Sequence, residues 1–150
     1  MDINSYVTGL TDGEGCFCVS FSYRSKMNTN IEVRPSFSIS LNQKDLPLLQ
    51  KILKIFDCGA IRRSARDRCY KYEVRNLEDL DRSIIPHFKK FPLQGAKASD
   101  FEKFAKVCEM MKANLHRSKK YLPELIEISY SINQGQRKHN KEDLLKHMTR

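Results

Sequence analysis

At 150 residues and 40% apolar, the chain has room for one hydrophobic core and buries roughly 70% of its unfolded surface, so no disulfide or structural metal is required. Lys and Arg total 27 against 18 Asp and Glu, a net charge of +9, which disfavours a basic partner and favours a polyanion: nucleic acid first, a ribosomal or anionic-membrane partner otherwise. No apolar run approaches the ~20 residues of a membrane span, and the N-terminus lacks the charged-then-apolar order of a leader.

In chain order, Ile3, Val7 and Leu10 recur at helical spacing, with Asp2 or Asn4 as the cap. After Gly13 and Gly15 the period changes to two: Phe17, Val19, Phe21 and Tyr23 alternate with Cys18, Ser20, Ser22 and Arg24, which predicts a strand. A polar stretch follows. The alternation then returns, with Ile31, Val33, Phe37, Ile39 and Leu41 interleaved by Glu32, Arg34, Ser36, Ser38 and Ser40. These two strands are expected as a hairpin or close neighbours. Asp45-Leu46-Pro47 opens a helix with an apolar stripe of Leu48, Leu49, Ile52, Leu53 and Phe56, ended by Gly59. Two short strands are read over 60–66 and 69–75, then a helix over 77–88 capped by Asn76. Further helices are read over 99–111, 123–132 and 141–148, separated by a basic stretch at 116–120 and a polar one at 133–140.

The order helix, strand, strand, helix, strand, strand, helix predicts an α+β domain with an antiparallel sheet. We read residues 1–150 as a single domain, with a core of about 1–112 and accessory C-terminal helices over about 113–150. Those last helices serve either packing or extra contacts with a partner. The five cysteines, Cys16, Cys18, Cys58, Cys69 and Cys108, show no CxxC or Cys/His zinc spacing and read as reduced, half-buried thiols. An intracellular, reducing setting is expected, organelle and bacterial cytoplasm being indistinguishable.

With helices on one side of the sheet, the alternate strand positions face outwards. That face carries Ser20, Ser22, Arg24, Arg34, Ser36, Ser38, Ser40, Arg62, Ser64, Lys71 and Arg75, with Glu32 and Glu73 as its acids. Guanidinium and hydroxyl groups in this pattern suit base edges and phosphates, and a two-stranded ribbon fits the major groove of B-form DNA. An ordinary solvated face with incidental charge is the plain alternative.

The segment Val7-Thr8-Gly9-Leu10-Thr11-Asp12-Gly13-Glu14-Gly15, followed by Cys16-Phe17, resembles the LAGLIDADG motif of homing endonucleases, and the element order extends the resemblance to about residue 112. Gly9 and Gly13 lie four apart on one helical face, where small residues let a second backbone approach. Either a partner helix or the chain's own sheet could be that neighbour. Because the chain holds one such motif, the partner implied is the same helix of a second copy, and Gly9, Asp12 and Gly13 form the expected homodimer contact.

The resemblance implies an antiparallel saddle on double-stranded DNA that cuts a long, roughly palindromic target by metal-assisted hydrolysis, in the service of intron homing. Glu14, the second acid of the motif, inherits catalysis and, with Gly13, the binding of Mg2+ or another divalent cation such as Mn2+. Glutamate stands where the motif's name has aspartate. Gln43, in Leu41-Asn42-Gln43-Lys44, is placed to order water at the scissile phosphate; a polar residue leading into the next helix is the other reading. Lys97, closing Phe91-Pro92-Leu93-Gln94-Gly95-Ala96-Lys97, is placed to stabilise phosphate charge, although Gln94 and Ala96 stand where lysines often occur in the family. Two other functions stay open: an intron RNA maturase and a non-cutting sequence-specific DNA binder.

Overall fold

Asp2 caps the first helix: its carboxylate accepts from the Asn4 N–H at 3.0 Å and the Ser5 hydroxyl at 2.8 Å, and α1 runs Ile3–Glu14. In this computed structural model, which describes residues 1–132 and 137–149, α1 passes without a loop into β1 (Gly15–Tyr23). The abrupt change needs a glycine. A Cβ at Gly15 would stand 2.5 Å from Thr11 Cγ2 and 2.8 Å from the Thr11 carbonyl oxygen, too close for any side chain. Gly15→Ala is therefore expected to cost about 1–3 kcal/mol by overpacking. Urea unfolding with an unchanged midpoint would show that the junction relaxes freely.

β1 pairs antiparallel with β2 (Ile31–Asn42), so the two strands are the neighbours that their alternation predicts. A three-residue turn, Gln43–Asp45, leads into α2 (Leu46–Phe56), where Pro47 occupies the first turn and needs no N–H partner. The chain leaves α2 through Asp57 at φ 55° and Gly59 at φ 87°, both left-handed, and reverses into β3 (Ala60–Arg63). β4 (Cys69–Val74) follows. β3 ends three residues earlier than the alternation suggests, because the Ser64 N–H bonds to the Cys69 carbonyl at 2.9 Å and closes a turn there; β4 ends one residue early, at Val74. Sheet order is β1-β2-β4-β3, antiparallel throughout.

Asn76 caps the next helix, as expected, but the run is not uniform: α3 (Leu77–Asp79) widens into a π turn (Leu80–Ile84) and narrows into α4 (Ile85–Lys90). Pro86 lacks the N–H that a regular helix would use, and the wide turn accommodates it. Then come α5 (Lys97–Lys112), α6 (Leu122–Tyr130) and α7 (Lys141–Met148). Of the polar stretch read over 133–140, residues 133–136 lie outside those described.

The helices cover one face of the sheet. Phe17 sits at the centre, with the rings of Phe37, Phe88, Phe101 and Phe104 between 5.2 and 5.5 Å away. Leu122, Leu125, Ile126, Leu144 and Met148 join this same core, so α6 and α7 pack into it. Arg137 pins them further. Its guanidinium donates to the carbonyls of Val19 (2.7 Å), Ile132 (3.1 Å) and Ser129, and lies 4.3 Å from the Tyr130 ring. Val19 and Pro35 form a non-hydrogen-bonded pair of the ladder, so the Val19 carbonyl points off the sheet edge, where Arg137 donates to it. Among the described residues none of the five cysteines forms a disulfide; Cys108 is fully buried in the core, deeper than the half-buried position expected. No helix among the described residues is long and apolar enough to cross a membrane.

Candidate functional site

Glu14 is the last residue of α1. Its carboxylate is exposed, and it makes no hydrogen bond or ion pair among the described residues. Asp12, by contrast, is committed within the chain: it accepts the Gln94 and Gly95 N–H groups, each at 3.0 Å. This folds the Phe91–Lys97 stretch back onto the end of α1. As a result the Lys97 ammonium donates to the Asp12 backbone carbonyl at 3.0 Å, two residues from Glu14.

A second latch holds the same stretch. The Thr8 hydroxyl donates to the Phe91 carbonyl at 2.9 Å and stands 3.1 Å from His87 Nε2. Since the hydroxyl has one proton and gives it to the carbonyl, Nε2 carries the hydrogen between ring and hydroxyl. Burial holds the His87 pKa below its ordinary value, so the ring is neutral and in that tautomer at neutral pH. Nothing in the sequence pattern marks His87, because its partners are more than 75 positions away in the motif helix.

Gln43 lies at the same end of the sheet. Its N–H bonds to the Arg68 carbonyl at 2.8 Å, tying it to the β3–β4 turn, and its neighbour Asn42 is the cross-strand partner of Cys69. Burial, then Asp67, then Glu14 push the Cys69 thiol pKa up, which places Glu14 within electrostatic reach of Cys69. Lys97 thus lies against the end of α1 that carries Glu14, and Gln43 follows β2 four positions beyond Ile39, the cross-strand partner of Gly15. Among the described residues, no three His, Cys, Asp or Glu side chains form a metal-binding cluster.

Cross-strand partners share a face, and the register pairs Ser20 with Arg34, Ser22 with Glu32, Ser40 with Lys71 and Lys71 with Arg62. The predicted residues therefore form one continuous outer surface. Ser36 and Ser38 join it opposite Cys18 and Cys16, so both thiols lie on this face. Ser38 departs from the expected exposure: at 8% it is buried, because β2 is flanked on both sides and its small side chain is shielded. Ser64 lies in the turn after β3, while Arg24 and Arg75 stand one position beyond β1 and β4.

The arginines on this face are not independent. Arg24 and Arg34 both reach Glu32, at 3.0 and 3.3 Å, and the Arg24 bond, then the Arg34 bond, hold that carboxyl below the usual range. Arg75 and Arg62 both reach Glu73, at 2.8 and 3.9 Å. Three further arginines, Arg63, Arg66 and Arg68, border an open cleft at the β3–β4 turn. Reading 60–66 as strand hides them as a group; the run Arg62-Arg63-Ser64-Ala65-Arg66-Asp67-Arg68 is the signal that marks them.

On α1, Tyr6, Gly9 and Gly13 follow at i, i+3 and i+7 and are all exposed. A Cβ at Gly9 or Gly13 would meet nothing within 4 Å. The chain's own sheet is therefore not the neighbour that these glycines accommodate. Beside them an open groove of about 400 Å³ runs past Ser5, Asp12, Phe91, Pro92 and Gln94.

Comparison with known proteins gives three kinds of likeness. A family model described as LAGLIDADG endonuclease matches residues 7–108. Over 92% of its length the chain is 35% identical to a probable intron-encoded endonuclease 2 of Neurospora crassa, of which it spans 31%. Among solved structures it superposes on the homing endonuclease I-TnaI with a TM-score of 0.87 at 33% identity, covering 99% of this chain and 98% of that one. It also superposes on I-LtrWI bound to target DNA, with a TM-score of 0.89 at 33% identity, covering 94% of this chain and 48% of the other.

Proposed function

Because the chain belongs to the LAGLIDADG endonuclease family, we propose that it is a site-specific double-strand DNA endonuclease that cuts a long, roughly palindromic target as a homodimer. The observation that carries this reading is the uncommitted, exposed Glu14 carboxylate at the junction of the motif helix with an arginine-bearing sheet. An acid left free beside a DNA-binding surface repels phosphate unless a cation lies between them.

Glu14 would hold a divalent ion, with the Gly13 carbonyl as the adjacent oxygen. The fit is one of chemistry: a hard, anionic oxygen donor without protein partners suits magnesium, which takes one or two carboxylates and completes its shell with water and phosphate. A single chain with no three-donor cluster among the described residues agrees with ligands shared between two copies and the DNA. When bound, the ion supplies polarisation of the phosphodiester and acidifies an attacking water. Lys97, held against the end of α1 by the Asp12 carbonyl, would offset charge developing on the phosphate, and Gln43, tied to the Arg68 carbonyl, would orient water; these two bonds support the reading. Asp12 fixes this geometry through the Gln94 and Gly95 amides.

The homodimer reading rests on the open stripe of Tyr6, Gly9 and Gly13. In addition, I-LtrWI matches this chain over about half its own length, so two copies supply a comparable amount of fold. The C-terminal helices, packed into one core with the sheet, belong on this reading to the same domain and support β1.

Incubating the purified chain with a library of duplexes, in magnesium and in calcium, tests the proposal. The expected result is cutting of a narrow set of near-palindromic sequences in magnesium and binding of the same set in calcium. Binding in both without cutting in either would leave a DNA binder and remove the nuclease. A second expectation separates two classes of basic residue. Alanine at Arg34, Arg62 or Arg75 relaxes base preference locally, each good bidentate contact carrying about 1–3 kcal/mol of discrimination. Alanine at Lys119 or Lys120, on an exposed connector, weakens all sequences alike and lowers the salt slope by ~0.9 for each phosphate no longer neutralised. Unchanged preference in all three arginine variants would show that the sheet is not the reading surface.

A further inference from the structure

Each acid on the outer sheet face lies between two arginines, and the two arrays engage different guanidinium nitrogens. Glu32 Oε2 receives Arg24 Nη1 and Arg34 Nη2, with the Ser22 hydroxyl at 3.5 Å, so terminal nitrogens of both guanidiniums are committed. Glu73 is the less exposed acid, its side chain at 15% against 21%. Its Oε1 faces the Nε atoms of both partners instead, Arg75 at 2.8 Å and Arg62 at 3.9 Å. The Arg75 contact is a hydrogen bond and the Arg62 contact a longer ion pair; an arginine held through Nε keeps its Nη1/Nη2 end for a further bidentate partner. Both side chains are more than half exposed.

Resting on the reading of this face as the DNA-contacting surface, we infer that Glu73 is a positioning residue for base recognition, aiming the free Nη ends of Arg62 and Arg75 at purine edges in the major groove. Its charge works against affinity, because it offsets one of the two cations beside it near phosphate. What it contributes is order. A free arginine loses rotamer freedom when it binds; Arg75, already hydrogen-bonded through Nε, loses less, and Arg62, held at 3.9 Å by charge, is ordered more loosely. Tethering also excludes orientations in which the guanidinium reaches a phosphate indifferent to sequence. Glu73 thereby lowers attraction to any DNA while sharpening discrimination. Glu32 cannot act in the same way, since its arginines must first release their terminal nitrogens.

The test is binding by the full chain, in calcium, across a duplex library. The variants are Glu73→Gln, Glu32→Gln, the Arg62→Ala/Arg75→Ala pair, and that pair combined with Glu73→Gln. Glutamine preserves shape and an acceptor oxygen, and thermal melts of every variant verify folding. Glu73→Gln is expected to lose about fivefold discrimination, the low end of one bidentate contact, at a two-fold-related pair of positions. Its binding to random-sequence DNA tightens and its salt slope steepens. Glu32→Gln tightens random binding without touching those positions. In the double-alanine background, Glu73→Gln no longer alters preference. Parental base preference in Glu73→Gln, alongside relaxed preference in the double-alanine variant, would overturn the positioning role while leaving the reading surface intact. An unchanged double-alanine variant would overturn both.

Discussion

Glutamine at position 14 is expected to abolish cleavage while leaving DNA binding in place. The amide keeps the length and shape of the side chain but loses the charge that recruits a divalent cation. Because Glu14 has no hydrogen bond or ion pair among the described residues, the substitution breaks nothing in the fold. The cost falls on the chemical step. Metal-assisted phosphate chemistry is worth several kcal/mol, and about 1.4 kcal/mol is tenfold in rate, so a loss on the order of a thousandfold or more is expected. Affinity holds or rises, since one negative charge near phosphate is gone. Single-turnover cleavage and equilibrium binding on the same duplex measure both quantities. Parental cutting by Glu14→Gln would remove Glu14 from catalysis.

Gly13→Leu is expected to give a folded monomer. In one chain the new side chain enters open space, and leucine is a better helix former than glycine by nearly ~1 kcal/mol, so the isolated fold holds or gains stability. Between two copies, the same side chain forces the helix backbones apart at the tightest point of the proposed contact. Stability and assembly thus move in opposite directions, a pattern that general destabilisation does not produce. Sedimentation and thermal melting of the variant separate them. A Gly13→Leu dimer that cuts normally would refute the helix-pair contact.

The elements are legible because their signals are local. Alternation over Phe17, Val19 and Phe21, the Pro47 start of α2 and the Asn76 cap each depend on neighbours a few positions away, and all appear in the fold. The shorter strand at 60–66 has the same origin in reverse: the Ser64–Cys69 bond that closes the turn is invisible to a two-residue period. The outer-face residues are legible as a set because the pleat fixes facing. Their pairing is not, since Arg62 meets Glu73 across two strands. Equally, Asp12 gives no sequence sign that it binds amides at Gln94 and Gly95 and so brings Lys97 beside the motif.

The sequence by itself determined the family, through the motif at residues 7–15 and the element order behind it, and determined the α+β class, because periodicity and punctuation are properties of short segments. Tertiary structure decided which distant groups meet: Thr8 with His87 and Phe91, Lys97 with the end of α1, Arg137 with the edge strand, and each sheet acid with two arginines. It also decided that Gly9 and Gly13 face open space instead of the chain's own sheet. Such contacts depend on how the helices pack across the sheet, and packing is set by the whole core at once, so no local pattern encodes them.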